Sequence, residues 1–198
     1  MPDTPSQPEA VFRPARAADM WDILDWRNAP RVRQAMLKQH EIGHTEHSAW
    51  FTRKMDDPSF RQMISEQDGQ AMAVQAYFDI QPRQSAWWAF YFTPAVPDDM
   101  AAMMKIWKWV ELSGIAYAFE IMGLETLYCE VLRSNGGVLN WHKRFGFAAC
   151  DPAVSVNADQ FDLEVMSLDR RVYNHLRASR IGQDIPRILQ LRHRFDQG

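Results

Sequence analysis

The spacing of apolar residues changes period several times along the chain, and each change marks an element. Val11 and Phe12 are strand-like. From Asp19 the period turns helical, with Met20, Ile23, Leu24 and Trp26 on one face. Asn28-Ala29-Pro30 breaks that helix. A second helical patch covers 31–37, and a third runs over 45–55 with Trp50 and Phe51 on its apolar side and Asp56-Asp57-Pro58 as its stop. The middle of the chain is β-rich. Runs 61–67 and 70–80 flank Asp68-Gly69, a pair suited to a tight hairpin turn. The aromatic run 85–92 (SAWWAFYF) suits a buried strand.

Residues 97–122 carry the longest helical period, through Met100, Met103, Met104, Trp107, Val110, Ile115, Tyr117 and Ile121, and Gly123 is a natural stop. In the strand 124–132, Leu127, Cys129 and Val131 face one way, and Tyr128 and Glu130 the other. A short helix at 135–144, a strand from Phe147 to Cys150 and a strand at 160–168 follow. The tail, 169–198, carries two helical patches split by Gly182 and Pro186, and residues 1–9 read as a loose arm. The pattern predicts one α+β domain over 10–168, built on a mixed, mostly antiparallel central sheet flanked by helices, with a C-terminal helical extension.

A hydrophobic content of 46% in 198 residues supports a full core without disulfides. A net charge of −3 argues against a nucleic-acid surface, which needs a basic excess. Two widely spaced cysteines, Cys129 and Cys150, and an N-terminus without an apolar leader point to a reduced, cytoplasmic protein. No apolar run is long enough for a bilayer, so no membrane partner is expected.

Four blocks carry a family resemblance. They are FRPARAADMWDILDWRN (12–28), HSAWF (47–51), FYFTP (90–94) and LETLYCEVLRSNGGVLNWHKRFGF (124–147). Together they resemble the GNAT family of acyl-CoA-dependent N-acetyltransferases over about residues 11–168. Trp26-Arg27-Asn28 and the His47-x-x-Trp50 pair are similar to the amino-sugar-nucleotide N-acetyltransferases of pseudaminic acid synthesis. The resemblance implies acetyl-CoA as acyl donor, a primary amine as acceptor, a sugar nucleotide as one such acceptor, and a homodimer. It also implies that backbone groups at Phe92 and Thr93 pair with the pantetheine amides, and that Asn135 holds the cofactor arm. The position of the family's tyrosine acid falls on His142, which can donate a proton near neutral pH. By spacing alone packing is the better account of His142, which lies one turn after Val138 and one before Phe145.

One block departs from the family. Its glycine-rich pyrophosphate loop has no counterpart, because no glycine lies between Gly69 and Gly114. Asp98 and Asp99 suit a helix cap and would repel an anion there. Lys105 and Lys108 would offset this if turned toward the site, and a solvated helix face accounts for them as well.

Glu130 is the candidate general base, with a sheet-surface carboxylate as the alternative. Trp26, Arg27, Asn28, His47, Trp50 and Tyr91 are the candidate acceptor-binding residues, and core packing is the competing role for the aromatic ones. Arg27, Asn28, Arg31 and Arg33 form a cluster that either grips a diphosphate or is a solvated face. His44 and His47 have metal-ligand spacing but no third ligand, so no metal is expected. Two functions remain open: an N-acetyltransferase, and a non-catalytic GNAT-like module that binds a ligand or a protein.

Overall fold

The computed structural model describes residues 10–185. A seven-stranded sheet runs through it in the order β1-β2-β3-β4-β5-β7-β6. The strands are β1 (Ala10–Pro14), β2 (Arg61–Gln67), β3 (Gln70–Gln81), β4 (Ser85–Phe92), β5 (Thr126–Leu132), β6 (Ala148–Ala149) and β7 (Leu163–Asp169). Every neighbouring pair is antiparallel except β4 with β5. The hairpin at Asp68-Gly69 forms as its residues require, with φ of 53° and 76°.

Helices cover both faces. Helices α1 (Met20–Asn28), α2 (Pro30–Gln34) and α3 (His44–Met55) precede β2. Ile23 and Phe51 pack on Ile64 and Val74 of the sheet. Helices α4 (Met100–Ala116), α5 (Gly136–Arg144) and α6 (Arg170–Ala178) cover the other face. Their Leu112, Ile115, Leu139, Trp141 and Tyr173 join Tyr77, Trp88, Leu127, Cys129 and Leu168 in the main core. The expected α+β class and mixed sheet are therefore present.

The helix limits differ from expectation for local reasons. The patch at 31–37 is helical over Pro30–Gln34, with Pro30 in the first turn, where its missing N–H is harmless. The helix expected at 97–122 starts at Met100, because Asp99 is extended and its carboxylate accepts from Ala102 N at 2.7 Å. It ends in a π-helical turn over Tyr117–Ile121, before Gly123 at φ 69°. The last strand runs over Leu163–Asp169 rather than 160–168. The first tail patch is α6, whose Tyr173 stacks on Phe119 at 4.6 Å. The arm 1–9 and the second tail patch lie outside the described residues.

Two features place the site. A buried polar network ties α4 to the sheet. Gln75 Nε2 donates to Ser65 Oγ at 3.0 Å, and Trp88 Nε1 donates to Gln75 Oε1 at 3.1 Å. Tyr77 OH donates to the Gly114 carbonyl at 2.7 Å. That approach needs glycine, since a Cβ at Gly114 would lie 2.4 Å from Gln75 Oε1. The second feature is a parting of strands. β4 and β5 pair only at Ser85–Thr126, Ala86–Leu127 and Trp87–Tyr128, although β4 continues to Phe92 and β5 to Leu132.

Candidate active site

Beyond Trp87 and Tyr128 the facing edges of β4 and β5 carry no strand partner, and a slot opens in mid-sheet. On the α4 side it is walled by aromatics. Phe90 meets Phe92 edge-on at 5.5 Å, Phe92 meets Trp107 at 5.6 Å, and Trp107 packs on Trp141 at 4.8 Å. The indole N–H groups of Trp107, Trp109 and Trp141 are buried without an acceptor among the described residues. An extended chain carrying amide groups fits such a slot, because exposed strand edges accept an added strand. Thr93 turns inward. Its Oγ1 donates to the Ala71 carbonyl at 2.7 Å, and its N–H donates to the Met72 carbonyl at 2.9 Å.

The N-terminus of α4 does not fit a pyrophosphate. Asp99 already supplies an acceptor to the first turn, and its charge has the same sign as the phosphate. Asp98 projects fully into solvent, 3.7 Å from Arg31. Lys108 is engaged by Asp184 at 2.8 Å, and Lys105 is exposed on α4. At the start of α5, Asn135 accepts from Val138 N at 3.4 Å as the helix cap.

His142 lies on α5 beside the slot. Its ring packs 5.0 Å from Phe147, 5.5 Å from Trp88 and 5.9 Å from Phe90. It is 3% exposed, and its Nδ1 lies within hydrogen-bond distance of Glu111 Oε1, at 2.7 Å. Glu111, on α4, is 0% exposed, and its Oε2 has no partner among the described residues. The sequence reading missed Glu111. The available signal was its position as the one charged residue between Lys108 and Glu120, inside an apolar stretch.

The opposite face of the slot holds the remaining candidates. Glu130 alternates with the buried Cys129 and Val131, as expected. Its carboxylate accepts from Ser155 Oγ and, at 2.8 Å, from Asn157 Nδ2, which ties the 155–157 loop to β5. Burial pushes the Cys129 thiol well up, and the Glu111 carboxylate adds to that, so Cys129 is a poor nucleophile. Half-buried Tyr91 packs with the α1–α3 core, and its hydroxyl, pushed up by burial, donates to the Ile23 carbonyl at 3.4 Å.

Arg27 and Asn28 grip backbone. Arg27 Nη2 donates to the Lys38 carbonyl at 2.7 Å, while burial lowers the guanidinium pKa. Asn28 pairs with Ile42 as a strand would, donating to its carbonyl at 2.8 Å and accepting from its N–H at 2.9 Å. Buried His47 donates from Nε2 to the Met20 carbonyl at 2.8 Å and stacks on Trp50 at 5.5 Å, and burial lowers its pKa. Trp26 and Trp50 pack against the α1–α3 core. Beside them a cleft of about 550 Å³ is lined by Leu24, Asp25, Asn28, Glu41, Ile42 and His44. The structure thus brings His142, Phe90 and Phe92 together at the slot. It holds Arg27, Asn28, His47 and Trp50 in the α1–α3 layer.

No family model matches the chain, and no curated protein matches it. Solved structures do. The spermidine N-acetyltransferase of Vibrio cholerae, in complex with CoA and spermine, superposes with a TM-score of 0.70 at 15% identity, covering 83% of this chain and 98% of that one. The Campylobacter jejuni N-acetyltransferase PseH, in complex with acetyl coenzyme A, gives 0.60 at 18% identity, covering 82% and 99%. An uncharacterised Bacillus halodurans protein gives 0.71 at 13% identity, covering 90% and 92%. The fold is therefore that of the GNAT N-acetyltransferases. Among the described residues no helix is long and apolar enough to cross a membrane.

Proposed function

We propose that the protein is an N-acetyltransferase that moves an acetyl group from acetyl-CoA to a primary amine. The observation that carries this reading is the parting of β4 and β5 with His142 packed 5.9 Å from Phe90 at its side. The free edge at Phe90–Phe92 offers backbone N–H groups to the donor's amides and to the oxyanion formed when the amine attacks the thioester carbonyl. The C–S bond then breaks, and His142 gives a proton to the departing sulfur. Glu130 is the candidate group for taking the proton from the ammonium, once a ligand displaces Ser155 or Asn157 from its oxygens. The 550 Å³ cleft beside α1 supports an acceptor approach from that face, with Asn28 in its wall. A nucleotide-linked amino-sugar is the finer acceptor suggested by Trp26-Arg27-Asn28 and His47-x-x-Trp50. A polyamine is the alternative suggested by the Vibrio neighbour.

A second reading has a specific observation behind it. The Asp99 cap at α4 opposes phosphate binding, which favours a GNAT-like module without CoA chemistry. Calorimetric titration with acetyl-CoA and desulfo-CoA separates the two. Saturable micromolar binding, followed by thiol release with amino-sugar nucleotides or polyamines, supports the enzyme. Absence of binding at millimolar donor refutes it.

A further inference from the structure

Among the described residues two histidines are buried, and they are satisfied differently. His47 bonds a backbone carbonyl, the inexpensive solution for a packed imidazole. His142 bonds the carboxylate of Glu111, a residue with 0% exposure in the middle of α4. Burying a carboxylate is costly unless it is paired, and Oε2 of this one has no partner among the described residues. Packing alone gives no reason for that arrangement. The ring is also clamped by Trp88, Phe90 and Phe147, so its orientation is set. With Nδ1 taken by Glu111, Nε2 is the free nitrogen. It makes no hydrogen bond among the described residues, and the ring that carries it packs 5.9 Å from Phe90 at the slot.

We propose that Glu111 is a positioning residue for His142, fixing Nδ1 as the inner, protonated nitrogen and presenting Nε2–H to the slot. The inference rests on the acetyltransferase reading. In the transfer step the thioester C–S bond breaks, the sulfur takes the proton from Nε2, and the Nδ1 proton stays on the ring, hydrogen-bonded to Glu111. The imidazole is left neutral and regains a proton from the one released by the amine. A carboxylate partner suits this cycle, because it stabilises the imidazolium that starts each turn.

The test uses the full chain and three measurements. In the wild type, ¹H–¹⁵N spectra of the histidine side chains, assigned with His142→Gln, are expected to show Nδ1 protonated and hydrogen-bonded. A neutral His142 protonated only at Nε2 overturns the proposal without any change at Glu111. In Glu111→Gln, kcat is expected to fall about 10²-fold while KM and the calorimetric Kd for acetyl-CoA change less than about threefold. In a His142→Tyr background, which supplies a phenol instead of the imidazole, Glu111→Gln is expected to have no further effect on kcat. If the wild type turns over and Glu111→Gln matches it, the positioning role is wrong and the acetyltransferase reading stands. If the wild type neither binds nor consumes acetyl-CoA, that reading falls and the role of Glu111 falls with it.

Discussion

Replacing Gly114 by alanine tests how tightly α4 is seated on the sheet. The added Cβ would lie 2.4 Å from Gln75 Oε1 and 2.5 Å from Trp88 Cζ2, about 1 Å inside ordinary contact. Neither neighbour is a loose chain end. Gln75 is held by Ser65, Ser113 and the Val110 carbonyl, and Trp88 is held by Gln75 and is 1% exposed. Overpacking of this kind costs about 1–3 kcal/mol. Breaking the Trp88–Gln75 bond adds about 1 kcal/mol. The better helix propensity of alanine returns about 1 kcal/mol. The expected net loss is about 2 kcal/mol, or a fall in Tm of roughly 4–8 °C for a chain of this length. Urea unfolding followed by circular dichroism reads it as a lower midpoint with an unchanged slope. An unchanged or higher midpoint would refute the close packing described here. Trp88 also contacts His142 at 5.5 Å, so the variant should lose activity faster than it loses fold.

Asp99→Asn keeps the cap on Ala102 N but removes the charge, and it should tighten CoA binding about tenfold in calorimetry at low salt. Unchanged binding would mean that the phosphates lie elsewhere. Asn28→Ala removes both bonds to Ile42, and hydrogen exchange at the Ile42 amide should then accelerate by at least tenfold, since each buried bond contributes about 1 kcal/mol. Lys54 and Ser59 hold the Asp57 carboxyl at about 2, below its ordinary value of 3.8. A depressed folded-state pKa stabilises the fold above the unfolded value, and that contribution is lost as pH falls from about 4 to 2. Thermal melts of Asp57→Asn and wild type should therefore differ at neutral pH and converge near pH 2.

Much of the fold is legible in the sequence because its signals are local. Asp68-Gly69 demands a tight turn, Gly123 a helix stop, and the Leu127-Cys129-Val131 alternation a strand with one buried face. The start of α4 is less legible, because Pro97, Asp98 and Asp99 all suit a helix entry and only the backbone shows that Asp99 is the cap. At the slot, a motif marks His142 in the sequence, but nothing marks its partner Glu111. Those residues stand 31 positions apart on two helices, and no periodicity links them. Arg27 and Asn28 read as ligand groups because nothing in the sequence shows that the backbone of Lys38 and Ile42 returns to meet them.

The parting of β4 and β5 has a consequence for how such a protein can change over time. Whatever enters the slot meets main-chain donors and acceptors first, and every amino acid except proline supplies both. Side chains along the slot can therefore change while the backbone geometry that would admit an extended guest persists. The shape would outlast any recognisable spelling of it.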